Sequence, residues 1–138
     1  MPSKGGPALP SIFRRKKGEK KEKEAPVEKS DLEKLCGDDK EAYDMLYSIM
    51  FLDPRKIHTS MKDAADNAKK NEKEKDLVGA RMWYEIAGGL AIYEGNVKKV
   101  IEYYGAAEKV SGKQYLILKN PEKAVAKAQE YYKKYLQG

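Results

Sequence analysis

From Leu32 to Tyr135, large apolar residues recur at steps of three and four, without the two-residue alternation of a half-buried strand. Steps of three and four put side chains on one face of an α-helix. The period therefore predicts an all-α fold, an antiparallel helical bundle or short helical array. Five main helices are expected after a short leading one.

Capping signals divide that pattern. Ser30-Asp31-Leu32-Glu33 is a capping box that opens a short helix ending near Gly37. Asp38 or Asp39 can cap the next, whose face is Ala42, Met45, Leu46, Ile49 and Met50. Asp53-Pro54 reads as a restart, since Asp accepts from free backbone N–H groups and Pro suits the first helical position. Ile57, Met61, Ala64, Ala65 and Ala68 form the following stripe. The charged run Lys69–Asp76 is a solvated helix end or a loop. The most apolar helix carries Leu77, Val78, Trp83, Ile86, Ala87, Leu90, Ala91 and Tyr93, and Gly95-Asn96 ends it. Val97, Val100, Ile101, Tyr104 and Ala107 face inward on the next, up to Gly112. Tyr115–Leu118 is a short apolar connector. Asn120-Pro121 opens the last helix, which buries Ala124, Ala128, Tyr131 or Tyr132, and Tyr135.

Residues 1–29 differ in kind. Their few large apolar side chains include Leu9, Ile12, Phe13 and Val27, among four prolines and a dense charged run. Such a composition cannot offset the entropy of ordering and predicts a disordered tail, leaving 30–138 as the helical domain. The tail holds nine Lys/Arg and four Glu, a net of +5 out of the chain's +6. The basicity thus belongs to the tail, and a nucleic-acid or anionic-surface contact would run through Arg14, Arg15, Lys16, Lys17, Lys20 and Lys21. Within Ala8–Phe13, the residues Leu9, Ile12 and Phe13 form a candidate linear docking motif.

Enzymatic chemistry finds little material. His58 is the only histidine and Cys36 the only cysteine, so no disulfide, metal cluster or Ser-His or Cys-His pair is expected, and no cofactor. His58 reads as a surface residue, and Cys36 as a structural thiol. A single cysteine, no apolar run long enough for a bilayer and no signal-peptide pattern predict a soluble cytoplasmic protein. Gly88-Gly89 lies inside an apolar helix, where each glycine costs about 1 kcal/mol against Ala. Close helix packing is the simplest compensation.

The stretch Arg81–Gly112 resembles a tetratricopeptide hairpin. With Gly95 between the helices, Tyr84, Ala87 and Gly88 fall on its aromatic, apolar and small positions, followed by Val97, Val100, Tyr104 and Ala107. Ala91, Val100 and Gly112 depart from that pattern. Residues 79–136 also resemble the three-helix MIT (microtubule-interacting and transport) domain, through Ile92–Asn96, Val100 with Tyr103-Tyr104, Asn120-Pro121 and Tyr131–Leu136. Both resemblances imply a groove between helices that takes a partner's helix or linear peptide. The likeness of Leu9–Ile12 to the Pro-rich ligands of MIT domains implies self-association.

Neighbours on a helix diverge by about 100°, so one member of each doublet, Tyr103-Tyr104 and Tyr131-Tyr132, is expected to point outward. Tyr is enriched at interaction hot spots. Tyr103, Lys127, Tyr131, Tyr132 and Lys134 are accordingly the candidate partner-binding residues. The function expected is a non-enzymatic protein–protein interaction adaptor. The alternative is an accessory nucleic-acid-binding protein working through the basic tail, and homo-oligomerisation is compatible with either.

Overall fold

The computed structural model describes residues 30–136. Among these the chain is all-helical, with no strand. The six helices are α1 (Asp31–Cys36), α2 (Lys40–Leu46), α3 (Met61–Lys73), α4 (Leu77–Glu94), α5 (Val97–Ser111) and α6 (Pro121–Tyr135). 3-10 turns occur at Pro54–Lys56 and Leu116–Lys119. The expected disordered tail, with its basic and docking residues, lies outside the described residues.

Nearly every helix starts where a side chain can serve its first free N–H groups. Ser30, Asp39, Ser60, Asp76, Asn96 and Asn120 each accept from the backbone N–H three residues on. At the other end, Gly95 (φ 73°) and Gly112 (φ 75°) take the left-handed conformation that closes α4 and α5.

One restart falls elsewhere than expected. Asp53-Pro54 opens only a single 3-10 turn, where the Asp53 carboxylate accepts from the Arg55 backbone N–H (3.2 Å) and also pairs with the Arg55 guanidinium (Nε 2.8 Å, Nη2 3.1 Å). The chain then runs non-helical until Ser60 caps α3, and Ile57 stays outside any helix. Likewise α2 ends at Leu46, before Ile49 and Met50. A tertiary demand overrides the local pattern there. Met50 is buried, and the Phe51 carbonyl accepts a hydrogen bond from the Tyr132 hydroxyl at 2.7 Å.

Two- and three-residue connections make α3, α4 and α5 antiparallel neighbours, with α4 packed on both of the others. Helix α6 lies against α1, α2, α4 and α5. Lys123 ties its start to α2 through Asp39 (3.0 Å) and Glu41 (2.8 Å). Gln129 Nε2 donates to the carbonyls of Ile92 (2.7 Å) and Tyr93 (2.9 Å), serving the otherwise free end of α4.

The α4–α5 contact centres on Gly88. A Cβ there would stand 2.5–2.9 Å from three carbons of the Tyr104 ring, closer than any real contact. Gly88 lies seven residues before the turn glycine Gly95, and Tyr104 nine after it. In an antiparallel hairpin those offsets place the two at one level. Tyr104 is fully buried, yet its hydroxyl has no hydrogen-bond partner.

Both expectations about the doublets are corrected. Tyr103 and Tyr104 are buried together, as are Tyr131 and Tyr132. The inward stripe of α5 is Val100, Tyr103, Tyr104 and Ala107, while Ile101, expected inside, is exposed. A helix with neighbours on two sides presents a buried arc wider than 100°, and adjacent positions both fit within it.

Four substitutions test the packing. Gly88→Ala should cost about 1–3 kcal/mol by overpacking the Tyr104 ring. Gly105→Ala on the same hairpin, where a Cβ meets nothing within 4 Å, should gain about 0.5–1 kcal/mol from helix propensity. Urea unfolding of both variants checks the opposite signs. By the same assay, Tyr104→Phe should be neutral or stabilising, because it removes an unsatisfied buried hydroxyl. Tyr132→Phe should lose about 1 kcal/mol with its bond to Phe51.

Candidate functional site

A largely apolar cleft lies beside α4. Met82, Glu85 and Ile86, at i, i+3 and i+4, form one wall. Ser48, Ile49 and Phe51, from the segment after α2, form the other, and Lys113 closes the rim. The groove encloses about 250 Å³. That is room for about eight waters, or one or two large apolar side chains.

Its walls are held from behind. Gly89 lets the Phe51 ring lie directly on the α4 backbone, since a Cβ at Gly89 would come 2.6 Å from Phe51 Cδ2. The Tyr132 hydroxyl holds the Phe51 carbonyl, and the Tyr93 ring meets the Tyr132 ring edge-on at 5.1 Å. At the rim, Glu85 accepts a hydrogen bond from the Tyr115 hydroxyl, with the Lys113 ammonium 3.8 Å away. Burial, then Glu85, pushes the Tyr115 phenol well above its ordinary range.

Solvent reaches the α4 wall. Met82 is 51% exposed, and Val78, one turn earlier, is 66% exposed. With Ile86 they form a second apolar stripe on α4 at i, i+4 and i+8, distinct from the buried face of Tyr84, Ala87 and Ala91. The groove offers apolar surface with a flexible thioether, and one carboxylate and one ammonium at its edge. That suits binding an apolar side chain. No group of three or more His, Cys, Asp or Glu among the described residues is arranged to hold a metal ion. His58 is exposed, and Cys36 is buried, its thiol pushed up by that burial. No helix among them is long and apolar enough to cross a membrane.

Of the residues expected to bind a partner, Tyr103 lies apart from the other four, which share α6. Tyr103 floors a separate cleft between α3 and α5, beside Met61 and Ala65, with Lys99 5.6 Å from its ring centroid. It is only 5% exposed, so its expected outward position is corrected. Tyr131 and Tyr132 are core residues of α6; their rings meet edge-on, Tyr132 also meets Tyr93 edge-on, and Tyr131 lies tilted against Tyr135. Lys127 faces Glu130 at 3.5 Å, and Lys134 lies 5.4 Å from the Tyr135 ring. The groove residues Ile49, Phe51, Met82 and Ile86 were not among the expected ones. The 78–82–86 spacing was the available signal.

Comparison with protein-family models, with curated proteins and with solved structures finds no match.

The tyrosine core gives the fold an alkaline limit. Burial and the Glu72 hydrogen bond (2.8 Å) push Tyr84 up to about 12, and burial raises Tyr104, Tyr115 and Tyr132 too. Above pH ~10 the unfolded chain loses these protons first, so the folded state binds more protons and stability falls as pH rises. Stability should be unaffected by these groups below pH ~10. It should decline between there and pH ~12, with tyrosinate absorbance rising together with loss of helical circular dichroism.

Proposed function

We propose that this chain is a non-enzymatic adaptor that takes the apolar face of a partner helix or linear peptide in the groove between α4 and Ser48–Phe51. The observation that carries the reading is the exposed stripe Val78–Met82 running into a preformed apolar cleft. Scattered apolar residues are ordinary on a surface, but a helix stripe leading into a groove is the geometry of helix-in-groove recognition. The resemblance to tetratricopeptide and MIT domains supports the same class of function. The groove used here, however, opens on α4 and the segment after α2 rather than on Tyr103, Tyr131 and Tyr132. The single cysteine, Cys36, supports a cytoplasmic setting. The alternative of an accessory nucleic-acid-binding protein draws on the charge of Arg14–Lys21, outside the described residues.

Met82→Glu tests the reading, because it places a charge on the exposed wall without touching the core. Full-length protein and variant, with matched circular dichroism, are used to capture proteins from native lysate. Species retained by the wild type should fall at least about tenfold on the variant, the cost of burying an unpaired carboxylate. Lys62→Glu, at the α3–α5 cleft, should leave them unchanged. Equal retention on Met82→Glu and wild type would contradict the proposal.

A further inference from the structure

We infer that the groove is occupied in cis by the chain's own Leu9–Phe13 segment, with the basic run that follows lying on the acidic α1–α2 face. The inference rests on the groove reading above and names the groove's resting occupant.

Chemistry argues first. Leu9, Ile12 and Phe13 are the densest cluster of large apolar side chains in residues 1–29. They fall within five consecutive positions, so one short segment carries all three. The groove lined by Ile49, Phe51, Met82 and Ile86 has room for one or two such anchors.

Charge argues second, and independently. Residues 1–29 carry a net +5. Residues 30–48 carry six acids (Asp31, Glu33, Asp38, Asp39, Glu41, Asp44) against Lys34 and Lys40, a net of −4, and with Asp39 and Glu41 paired to Lys123 the acids left facing outward are Asp31, Glu33, Asp38 and Asp44. Glu33, Asp38 and Asp44 line a second cleft, with Tyr43 beside them and Lys40 as its one base. Asp44 is exposed and sits one turn before Ser48, a wall of the apolar groove. The acidic cleft and the apolar groove are therefore adjacent along one piece of chain. Arg14–Lys17 follow Phe13 directly, so anchors in the groove bring the basic run to the acids. Neither cleft alone selects this occupant; a segment whose apolar anchors are joined directly to a basic run fits an apolar groove that adjoins an acidic cleft.

Reach is sufficient. Sixteen residues, 14–29, separate Phe13 from Ser30, and extended they span about 50 Å. A domain of roughly 100 residues is only about 33 Å across, from a radius of gyration near 13 Å. Tethering raises the local concentration of the segment to the millimolar range, so weak intrinsic affinity is enough. An external partner helix would then have to displace the segment, and high salt or neutralisation of the basic run would ease that displacement.

The test uses the full chain and the methyl resonance of Met82, one of five methionines. Wild type is compared with the Leu9→Ala/Ile12→Ala/Phe13→Ala variant over a range of protein concentrations and at low and high salt. The inference expects the Met82 methyl to shift between the two chains, independently of concentration. It also expects wild type to move toward the variant's position as salt is raised. An identical Met82 resonance in both chains overturns it. A difference that grows with concentration also overturns it, since the occupant is then a second copy. If the resonance is identical while capture still depends on Met82, the cis occupant is wrong and the groove reading stands. If capture is also indifferent to Met82→Glu, both fail.

Discussion

The structure depends on the Tyr104 ring packing against α4 at a position that carries no side chain. Gly88 makes that approach possible, and Gly89, rotated by about 100° on the same helix, does the same for the Phe51 ring. Two adjacent glycines in a helix interior cost about 2 kcal/mol of propensity. Two aromatic rings brought onto the backbone offset that cost through burial and close contact. One glycine fixes the distance between α4 and α5. The other fixes where the chain after α2 crosses α4.

The groove is a consequence of the second contact. With Phe51 pinned over Gly89 by its ring and by the Tyr132 hydroxyl at its carbonyl, the 48–51 segment crosses α4 at one level only. The apolar stripe toward the start of α4, Val78 and Met82, is left uncovered by the described residues. The same connectivity that builds the core thus leaves an apolar wall that the described residues do not cover, and the rim pair Glu85–Lys113 marks its edge.

Much of the fold was legible because helix boundaries are local chemistry. Ser30, Asn96 and Asn120 cap, and Gly95 and Gly112 terminate, through interactions within a few residues. The need for close packing at Gly88-Gly89 was legible too, though not which rings would fill it. What failed depended on partners distant in sequence. Helix α2 looked longer until Phe51 was drawn to Gly89. Tyr103 looked outward because α5 was given one buried face, when contact on two sides widens that face. The groove was hidden for the same reason, since its walls come from residues some thirty positions apart.

The α4–α5 interlock should be the most stable unit, and the short α1–α2 segment, which leads into a groove wall, a softer one. Native-state hydrogen exchange measures this directly. Amides of Ala87–Ile92 and Val100–Tyr104 should exchange only through global unfolding, while those of Leu32–Cys36 and Ala42–Leu46 should open at clearly lower free energy, as short elements with few turns do. Earlier exchange in α4 and α5 than in α1 and α2 would contradict the claim that the glycine–tyrosine interlock is the centre on which the rest is built.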